Sequence, residues 1–355
     1  MNKMIEEKSS VQRIASDFEA AFRAQLTNCD AVSFDVFDTL IHRSVARPID
    51  VFKIVALRMH GVDPASNIRP DNFQALRVAA ERLARNKAKA STGSSEISLN
   101  DIYYSLREIS NTDELNAKRL LELEMTVEKE AVYANPLMLQ LLKLAESSEK
   151  KVILCSDMYL PSDFILQLVE IAGYRPRLPI IVSCEAQRSK HEGTIFPLLA
   201  ETLSIAPSRI LHIGDNHLAD VQMPAKAGLL SLHFDMHEQA FKNISRTLWK
   251  PDRDWGTSSI SRAFAKGISV KNIVESATSR NVPPPTSTIG FDIFGPYLAG
   301  KLLWLNNAVT ERKIRKILFF ARDAQIEMNA YQEIFHARNP DIELAYVYIS
   351  RASII

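Results

Sequence analysis

The chain has 355 residues, more than one average domain, and 46% of them are hydrophobic, which is enough to bury a large core. The formal net charge of +1 gives no electrostatic reason to expect nucleic acid or an acidic partner. No apolar run reaches membrane-spanning length, the first residues are polar, and the three cysteines form no disulfide or zinc pattern, so we expect a protein of the reducing cytoplasm without a membrane span.

The first predicted elements are a helix and a buried strand. Residues 11–26 carry apolar side chains at helical spacing, which predicts an amphipathic lead-in helix within residues 1–28. The apolar run that begins at Ala31 ends at Asp35, as is typical of a central strand in a parallel sheet. Ligands of such sheets lie beyond the carboxyl ends of the strands, which is where Asp35 would emerge.

A long insert follows this strand, from about residue 44 to residue 134, and its pattern is helical throughout. Ser98 and Asp101 have the spacing of a capping box at the start of one of its helices. Because no strand is predicted among these helices, the insert is interpreted as a helical cap that lies over the strand ends.

Strands and helices alternate after the insert. Apolar strands are predicted near Val152, Ile180, Ile210 and Leu229, with helical segments between them. This alternation predicts an α/β fold with a doubly wound parallel sheet, in which residues 29–240 form the core and its cap.

The periodic pattern weakens beyond residue 235. Residues 241–289, which include three consecutive prolines at 283–285, are interpreted as a linker. Residues 290–355 read as helix, strand, helix and strand, which predicts the beginning of a second α/β unit. Because this unit stops directly after a strand, we expect a further domain beyond residue 355 in the natural protein.

Polar side chains follow the predicted strands of the first unit, and parallel strands bring such ends together at one edge of the sheet. Several carboxylates at one point repel one another unless a cation lies among them, and all-oxygen ligands favour Mg²⁺. A lysine and a serine hydroxyl suit a phosphate group, and a carboxylate beside them can act as a nucleophile. The residues in question are Asp35, Asp38, Ser156, Asp157, Lys190, Asp215, Asn216 and Asp220.

This constellation, in this order, resembles the haloacid-dehalogenase-like (HAD) superfamily, most of whose members are magnesium-dependent phosphohydrolases. The resemblance covers residues 30–235 and implies a Rossmann-like core with a mobile cap. It implies that Asp35 is the nucleophile, that Ser156 binds the phosphoryl oxygens and that Lys190 balances the charge. Asp157 and Arg43 are further candidates for substrate binding. The implied magnesium ligands are Asp35, Phe37, Asp215, Asn216 and Asp220.

One position departs from the phosphatase pattern. Phosphatases of the superfamily have an aspartate two residues after the nucleophile, as general acid and base, and this chain has Phe37 there. Haloacid dehalogenases also place an aromatic residue there but usually lack the full pair of metal-binding carboxylates. Some carbon–phosphorus hydrolases lack the second acid and keep the metal. Asp38, one residue further, either acts as the displaced acid or braces the turn.

The wording Phe-Asp-Val-Phe-Asp-Thr-Leu looks closest to a subgroup of predicted hydrolases, found in bacterial multidomain proteins near surface-polysaccharide synthesis. The resemblance implies a Mg²⁺-dependent hydrolase that cleaves a phosphate ester through an aspartyl intermediate. Its substrate would be a phosphorylated small molecule, such as a sugar phosphate or another metabolite phosphate. Carbon–halogen or carbon–phosphorus hydrolysis, and a phosphate-binding scaffold with weak turnover, are the alternatives.

Overall fold

The computed structural model describes residues 2–63, 68, 72–247, 260–278, 290–321, 324–336 and 339–348. The chain divides into two compact units, residues 1–282 and 283–355, and each is described by itself. The strands of the first unit are β1 (Ala31–Phe34), β2 (Ile41–Arg43), β3 (Val132–Ala134), β4 (Lys151–Ser156), β5 (Ile180–Val182), β6 (Ile210–Gly214) and β7 (Leu230–His233). Those of the second unit are β8 (Lys316–Phe320) and β9 (Glu343–Val347).

The helices of the first unit are α1 (Asn2–Leu26), α2 (Val51–Val62), α3 (Phe73–Thr92), α4 (Leu99–Ser110), α5 (Glu114–Ala131), α6 (Pro136–Ser147), α7 (Ser162–Ile171), α8 (Ser183–Ala186), α9 (Ile195–Leu203), α10 (Met223–Lys226), α11 (Met236–Thr247) and α12 (Ile260–Thr278). The second unit contributes α13 (Gly295–Glu311) and α14 (Ala324–Phe335). Short 3₁₀ turns occur at Pro48–Asp50 and Pro207–Arg209, and a π-helical turn occurs at His217–Gln222.

A five-stranded parallel sheet with the order β5-β4-β1-β6-β7 forms the centre of the first unit. Strand β1 lies in the middle, where Phe34 pairs with Leu154 of β4 on one side and with Ile213 of β6 on the other. The carboxyl ends of β1, β4 and β6 are therefore adjacent. The predicted fold class, a parallel α/β core, is confirmed.

Both faces of this sheet are buried, which explains why its strands are apolar without strict alternation. Val32 and Phe34 of β1 belong to a hydrophobic core that includes residues of α1, α6 and α7. Ala31 of β1 and Ile153 of β4 point to the opposite face, into a smaller core formed mainly with α9. Side chains of a strand alternate between faces, so one run of apolar residues supplies two cores.

The insert between β1 and β4 contains four helices, α2 to α5, and the capping box at Ser98 and Asp101 is present. The prediction that the insert contains no strand is wrong. Strand β3 ends the insert and pairs antiparallel with β2, so the two arms of the chain meet in a short ribbon. Each strand has only three residues, too few to show a period of two in the sequence.

The segment interpreted as a linker, residues 241–289, is helical over much of its described part. Helix α11 reaches residue 247, and α12 spans 260–278 with Val270 and Val274 buried. A Cβ atom on Gly267 of α12 would lie 2.5 Å from the carbonyl oxygen of Ser44, so this glycine permits a close approach to the first residues of the insert. Residues 248–259 and 279–289 lie outside the described part of the chain, and the domain boundaries stay a prediction.

The second unit has the predicted order of helix, strand, helix and strand. Strands β8 and β9 pair in parallel, and Tyr331 of α14 is fully buried in a small core with Phe319 of β8. None of the helices that the structure describes is both long and apolar enough to cross a membrane.

Candidate active site

Asp35 follows β1 directly and lies at the centre of a polar cluster. The residue is buried, with one carboxylate oxygen 2.5 Å from the Lys190 ammonium and the other accepting a hydrogen bond from the Thr39 hydroxyl at 3.0 Å. Its main-chain N–H donates to the carbonyl of Ile213 in β6, which continues the sheet to this residue. Both carboxylate oxygens are therefore held in place by residues of the core.

The turn after Asp35 places Phe37 and Asp38 differently. Asp38 has φ of 59°, a left-handed conformation that aspartate and asparagine tolerate better than most residues, and its N–H closes the turn onto the carbonyl of Ile41. Phe37 forms a bridge to Ile41, and its ring lies under the guanidinium of Arg43, 4.5 Å from Cζ to the ring centroid. The main-chain hydrogen bond of Asp38 closes the turn, and the role of its carboxylate, as brace or as acid, stays a prediction.

Lys190 connects two carboxylates. Its ammonium is buried and lies 2.5 Å from Asp35 and 2.6 Å from Asp220. Burial disfavours the charged amine, but the coulombic effect of these two carboxylates outweighs it and raises the pKa of Lys190. The lysine therefore stays protonated between them.

Asp157 holds the Lys190 loop rather than facing the cluster. Its two carboxylate oxygens accept hydrogen bonds from the main-chain N–H groups of Lys190 and His191, at 2.7 and 3.0 Å. Ser156, the preceding residue, is buried at the end of β4, and its hydroxyl has no hydrogen-bond partner among the described residues. The Ser156 hydroxyl can therefore donate a hydrogen bond to a ligand, whereas both oxygens of Asp157 already accept main-chain hydrogen bonds.

Asp220 accepts several hydrogen bonds that fix it at the end of β6. One oxygen accepts from Lys190 and from His212 Nε2 at 2.9 Å, and the other accepts from the Asn216 N–H at 2.9 Å. Burial opposes its ionisation, but Lys190 and His212 outweigh burial and hold the pKa of Asp220 far below its usual range. Gly214 is needed here, because a Cβ atom would lie 2.3 Å from the Asp220 carboxyl carbon.

A buried histidine of strand β6 extends this hydrogen-bond network. Burial lowers the pKa of His212, which favours the neutral ring. Its Nε2 donates to the Asp220 carboxylate, so Nδ1 is the acceptor and takes the hydrogen bond of the Ser33 hydroxyl at 2.9 Å. The chain Ser33–His212–Asp220–Lys190–Asp35 is continuous and buried.

Asp215 completes a group of three carboxylates that can hold a cation. Oxygens of Asp35, Asp215 and Asp220 all lie within 4.8 Å of one another, with Lys190 as the cation among them. Burial raises the pKa of Asp35 to about 7, although Lys190 opposes the rise and Asp220 adds to it. Burial also raises the pKa of Asp215 to about 8, and the charges of Asp35, Asp38 and Asp220 add to it. This excess of negative charge and an all-oxygen donor set fit a magnesium ion.

The other two predicted magnesium ligands have different surroundings. The side-chain oxygen of Asn216 caps the following turn by accepting from the N–H groups of Leu218 and Ala219, at 3.0 and 3.1 Å. Phe37 can offer only its main-chain carbonyl, because a phenyl ring has no ligand atom. Among the described residues the Asp215 carboxylate has no hydrogen-bond partner, so it is the most open to a metal. Asp35 accepts one hydrogen bond at each oxygen, and Asp220 accepts three in all.

Arg43, a predicted substrate-binding residue, is already paired. Its guanidinium makes a two-pronged hydrogen bond to Glu128 at 2.8 and 3.1 Å, and both side chains are buried. The pair connects β2 to α5 at the base of the cap. Near the site Arg43 contacts the Phe37 ring, and its charge is compensated by Glu128.

A second group of possible metal ligands, Asp38, His42 and His237, does not suit a metal. The Asn135 oxygen caps α6, so its amide N–H₂ faces His42 Nε2 at 3.2 Å. Nε2 must then accept a hydrogen bond, and the proton of His42 lies on Nδ1, which faces Asp38 at 3.9 Å. A protonated nitrogen cannot bind a metal ion.

The structure brings Asp35, Lys190, Asp215 and Asp220 together and places Ser156 at the adjacent strand end. Sequence reasoning missed three contributors: Thr39, Ser33 and His212. Thr39 stands four residues after Asp35 in the same turn and could have been found from that spacing. His212 and Ser33 sit inside apolar strands, where a polar residue on a fully buried face was a signal that it needs a partner.

No protein-family model matches this chain, and no curated protein matches it. Solved structures similar to it include the 2-haloacid dehalogenase of Pseudomonas syringae (17% identity, 63% of this chain and 91% of that chain, TM-score 0.41). A HAD phosphatase of Thermococcus onnurineus (17% identity, 58% and 86%, TM-score 0.39) and a defluorinating L-2-haloacid dehalogenase (16% identity, 58% and 80%, TM-score 0.43) are similar too. These neighbours are HAD-like hydrolases, and at such TM-scores they support no argument about the reaction.

Proposed function

We propose that the protein is a magnesium-dependent hydrolase of phosphate monoesters that works through an aspartyl phosphate on Asp35. The observation that carries the proposal is the position of Lys190, whose ammonium touches both Asp35 and Asp220 while Asp215 lies within the same cluster. One lysine against three carboxylates leaves room for a divalent cation and a phosphoryl group, which is the charge pattern of phosphoryl transfer.

In the first step an Asp35 oxygen attacks phosphorus, the P–O bond to the ester oxygen breaks, and the leaving group departs as an alkoxide or phenoxide that takes a proton from water. In the second step water attacks phosphorus, the P–O bond to Asp35 breaks, and inorganic phosphate leaves with the carboxylate restored. Lys190 stabilises the added charge in both steps, and the Ser156 hydroxyl donates to a phosphoryl oxygen.

Asp35 and Asp215 would hold the magnesium ion. Bound there, the ion would offset the charge on the phosphoryl oxygens and on the two carboxylates. Asp220 keeps Lys190 in position and is itself oriented by His212, so it serves the site as a positioning residue.

Phe37 favours a second candidate, carbon–halogen hydrolysis. The turn offers no carboxylic acid at this position, and halide departs without a proton. The three-carboxylate cluster favours the phosphate reaction instead, since attack on carbon requires no divalent cation. We also propose, from the resemblance alone, the bacterial subgroup and the cytoplasmic location; the three free cysteines agree with a reducing compartment.

The test is a panel of phosphate monoesters and short 2-haloacids, each assayed with Mg²⁺ and with a chelator. We expect phosphate release that depends on Mg²⁺ and no halide release. Halide release that persists in the chelator would replace the proposed reaction by the second candidate. Tight phosphate binding with no turnover of any compound would instead indicate the scaffold alternative.

A further inference from the structure

A cavity of about 530 Å³ lies between the cap and the loops that follow β1 and β4, within the ~300–1,000 Å³ typical of small-ligand sites. Phe37 and Asp38, which follow Asp35, and Met158 and Tyr159, which follow Ser156, line it from the core side. Helix α3 lines it from the cap side.

Most charges on the cavity wall are already neutralised by a neighbour. Arg43 is paired with Glu128, at 2.8 and 3.1 Å. Arg85 makes two hydrogen bonds of 3.0 Å to Glu81 and a third to the carbonyl oxygen of Ser95. These pairs consume both partners, so neither arginine is an open anion site.

Arg82 is different. It lines the cavity, is exposed, and has no hydrogen bond or ion pair with any residue that the structure describes. Asn86, one helical turn further along the same face of α3, also lines the cavity and has no partner among the described residues. A guanidinium with a neighbouring amide N–H₂ can hold a carboxylate or phosphate group through several hydrogen bonds.

Several large apolar side chains also line the cavity. Phe37 and Phe52 line it, and Ile49 and Val78 are 36% and 43% exposed there although both are large and hydrophobic. Exposed apolar side chains that border a cavity mark a surface that a ligand covers. The cavity therefore suits a ligand body that is apolar or ring-shaped, with an anionic group at the α3 end.

We propose that Arg82, with Asn86, binds a second anionic group on the leaving group of the substrate, so that the preferred esters carry an apolar or aromatic body with a carboxylate or a second phosphate at its far end. This assignment rests on the proposed function for the position of the scissile phosphate. Arg82 acts by binding and not in the chemical steps.

The experiment compares 4-carboxyphenyl phosphate, phenyl phosphate and 4-(aminomethyl)phenyl phosphate on the wild type, Arg82→Ala and Arg82→Glu. Lys89→Ala, which removes an exposed charge of α3 that does not line the cavity, is the matched control. Benzene-1,4-bisphosphate distinguishes a phosphate from a carboxylate as the second anion. Ratios of variant to wild type cancel the intrinsic reactivity of each ester.

For the carboxylate ester we expect Arg82→Ala to lower kcat/KM by about 10- to 100-fold, which is the effect of losing a hydrogen bond to a charged group. The change should be mainly a rise in KM. Phenyl phosphate should change by no more than about twofold, and Arg82→Glu should move the preference to the aminomethyl ester. Lys89→Ala should change none of these ratios. Equal losses on all three esters, or no loss on any, would overturn the assignment.

A readout without turnover separates this assignment from the proposed function. Titration calorimetry in Mg²⁺ measures the affinity for 4-carboxyphenylphosphonate and for phenylphosphonate, which cannot be hydrolysed. If no ester turns over, the proposed hydrolysis fails, yet tighter binding of the carboxylate compound that is lost in Arg82→Ala still supports the anion site. Equal affinity for both phosphonates, or binding of neither, overturns it.

Discussion

Two buried polar networks of the first unit differ in charge: one pairs a buried arginine with a buried glutamate, and the other has more carboxylates than cations. In the cap, Arg77 is fully buried and makes a two-pronged pair with Glu124 at 2.8 and 2.7 Å, and the Tyr103 hydroxyl donates to the same carboxylate at 2.7 Å. The rings of Phe52 and Tyr159 lie over its guanidinium, at 4.6 and 4.9 Å. At the strand ends, by contrast, Lys190 pairs with Asp35 and Asp220, and Asp215 adds a third carboxylate to the same cluster.

Buried charges stabilise the fold in the first network and form a candidate binding site in the second. The cap pair is closed, because both oxygens of Glu124 accept hydrogen bonds from Arg77 or Tyr103 and aromatic rings cover the Arg77 guanidinium. The strand-end cluster is left with excess negative charge, and burial raises the pKa of Asp35 and Asp215 accordingly. Such a cluster is stabilised by a bound cation, and perturbed carboxylates of this kind are common at active sites.

Replacing Asp35 by Asn should have the largest effect on function and almost none on folding. The variant loses the nucleophilic charge, so turnover should fall on the order of 10³-fold or more, while relief of like-charge repulsion keeps the melting temperature at or above that of the wild type. Phosphate release and calorimetry measure the two. A variant that retains more than a few per cent of activity would contradict aspartyl catalysis.

Replacing Arg77 by Met should do the reverse. Removing one partner leaves Glu124 charged and buried, which costs roughly 3–5 kcal/mol in the free energy of unfolding. Adding Glu124→Gln should recover most of this loss, since the neutral amide still accepts the hydrogen bond of Tyr103. Urea unfolding of the single and double variants checks it, and a single variant as stable as the wild type would mean that the pair contributes nothing to the cap.

Magnesium should stabilise the strand-end cluster and leave the cap unaffected. At about 100 times its dissociation constant, a bound ion adds ~2.7 kcal/mol to the free energy of unfolding. Asp215→Asn should abolish this gain, whereas Asp17→Asn, which changes an exposed carboxylate on α1, should keep it. Melting curves with and without Mg²⁺ provide the measurement, and an unchanged gain in Asp215→Asn would remove Asp215 from the metal site.

The smallest expected effect concerns Phe37, two residues after Asp35 in the strand-end cluster. Without an acid at position 37, the wild type should cleave esters of acidic phenols much faster than alkyl phosphates. Phe37→Asp should speed the alkyl phosphates most and so reduce the difference in rate between the two kinds of ester. The gain should be less than the ~10²–10⁴-fold typical of general acid catalysis, because the nearby Arg43 guanidinium would keep the new carboxylate ionised and unable to donate a proton.

Asp38→Asn is the control for that experiment, since asparagine also tolerates the left-handed turn. It should leave the dependence on the leaving group unchanged. A wild type that is indifferent to leaving-group acidity and becomes sensitive in Asp38→Asn would identify Asp38 as the acid.

The sequence by itself determined the parallel α/β core and the grouping of the site residues at its edge. Apolar runs that end in Asp35, Ser156 and Asp215 are local signals, and the geometry of a parallel sheet converts them into neighbours without further information. The helices of the cap were also predictable from local signals, because they are long and strongly periodic.

Only the tertiary structure decided which polar groups are free and which are used. Asp157 and Asn216 look like ligand-binding residues in the sequence, yet both satisfy main-chain N–H groups nearby. The ribbon of β2 and β3 joins residues about 90 positions apart, and α12 approaches Ser44 from even further along the chain. Hydrogen bonds and ion pairs depend on distances of a few tenths of an ångström between residues remote in sequence, and no local pattern encodes those distances.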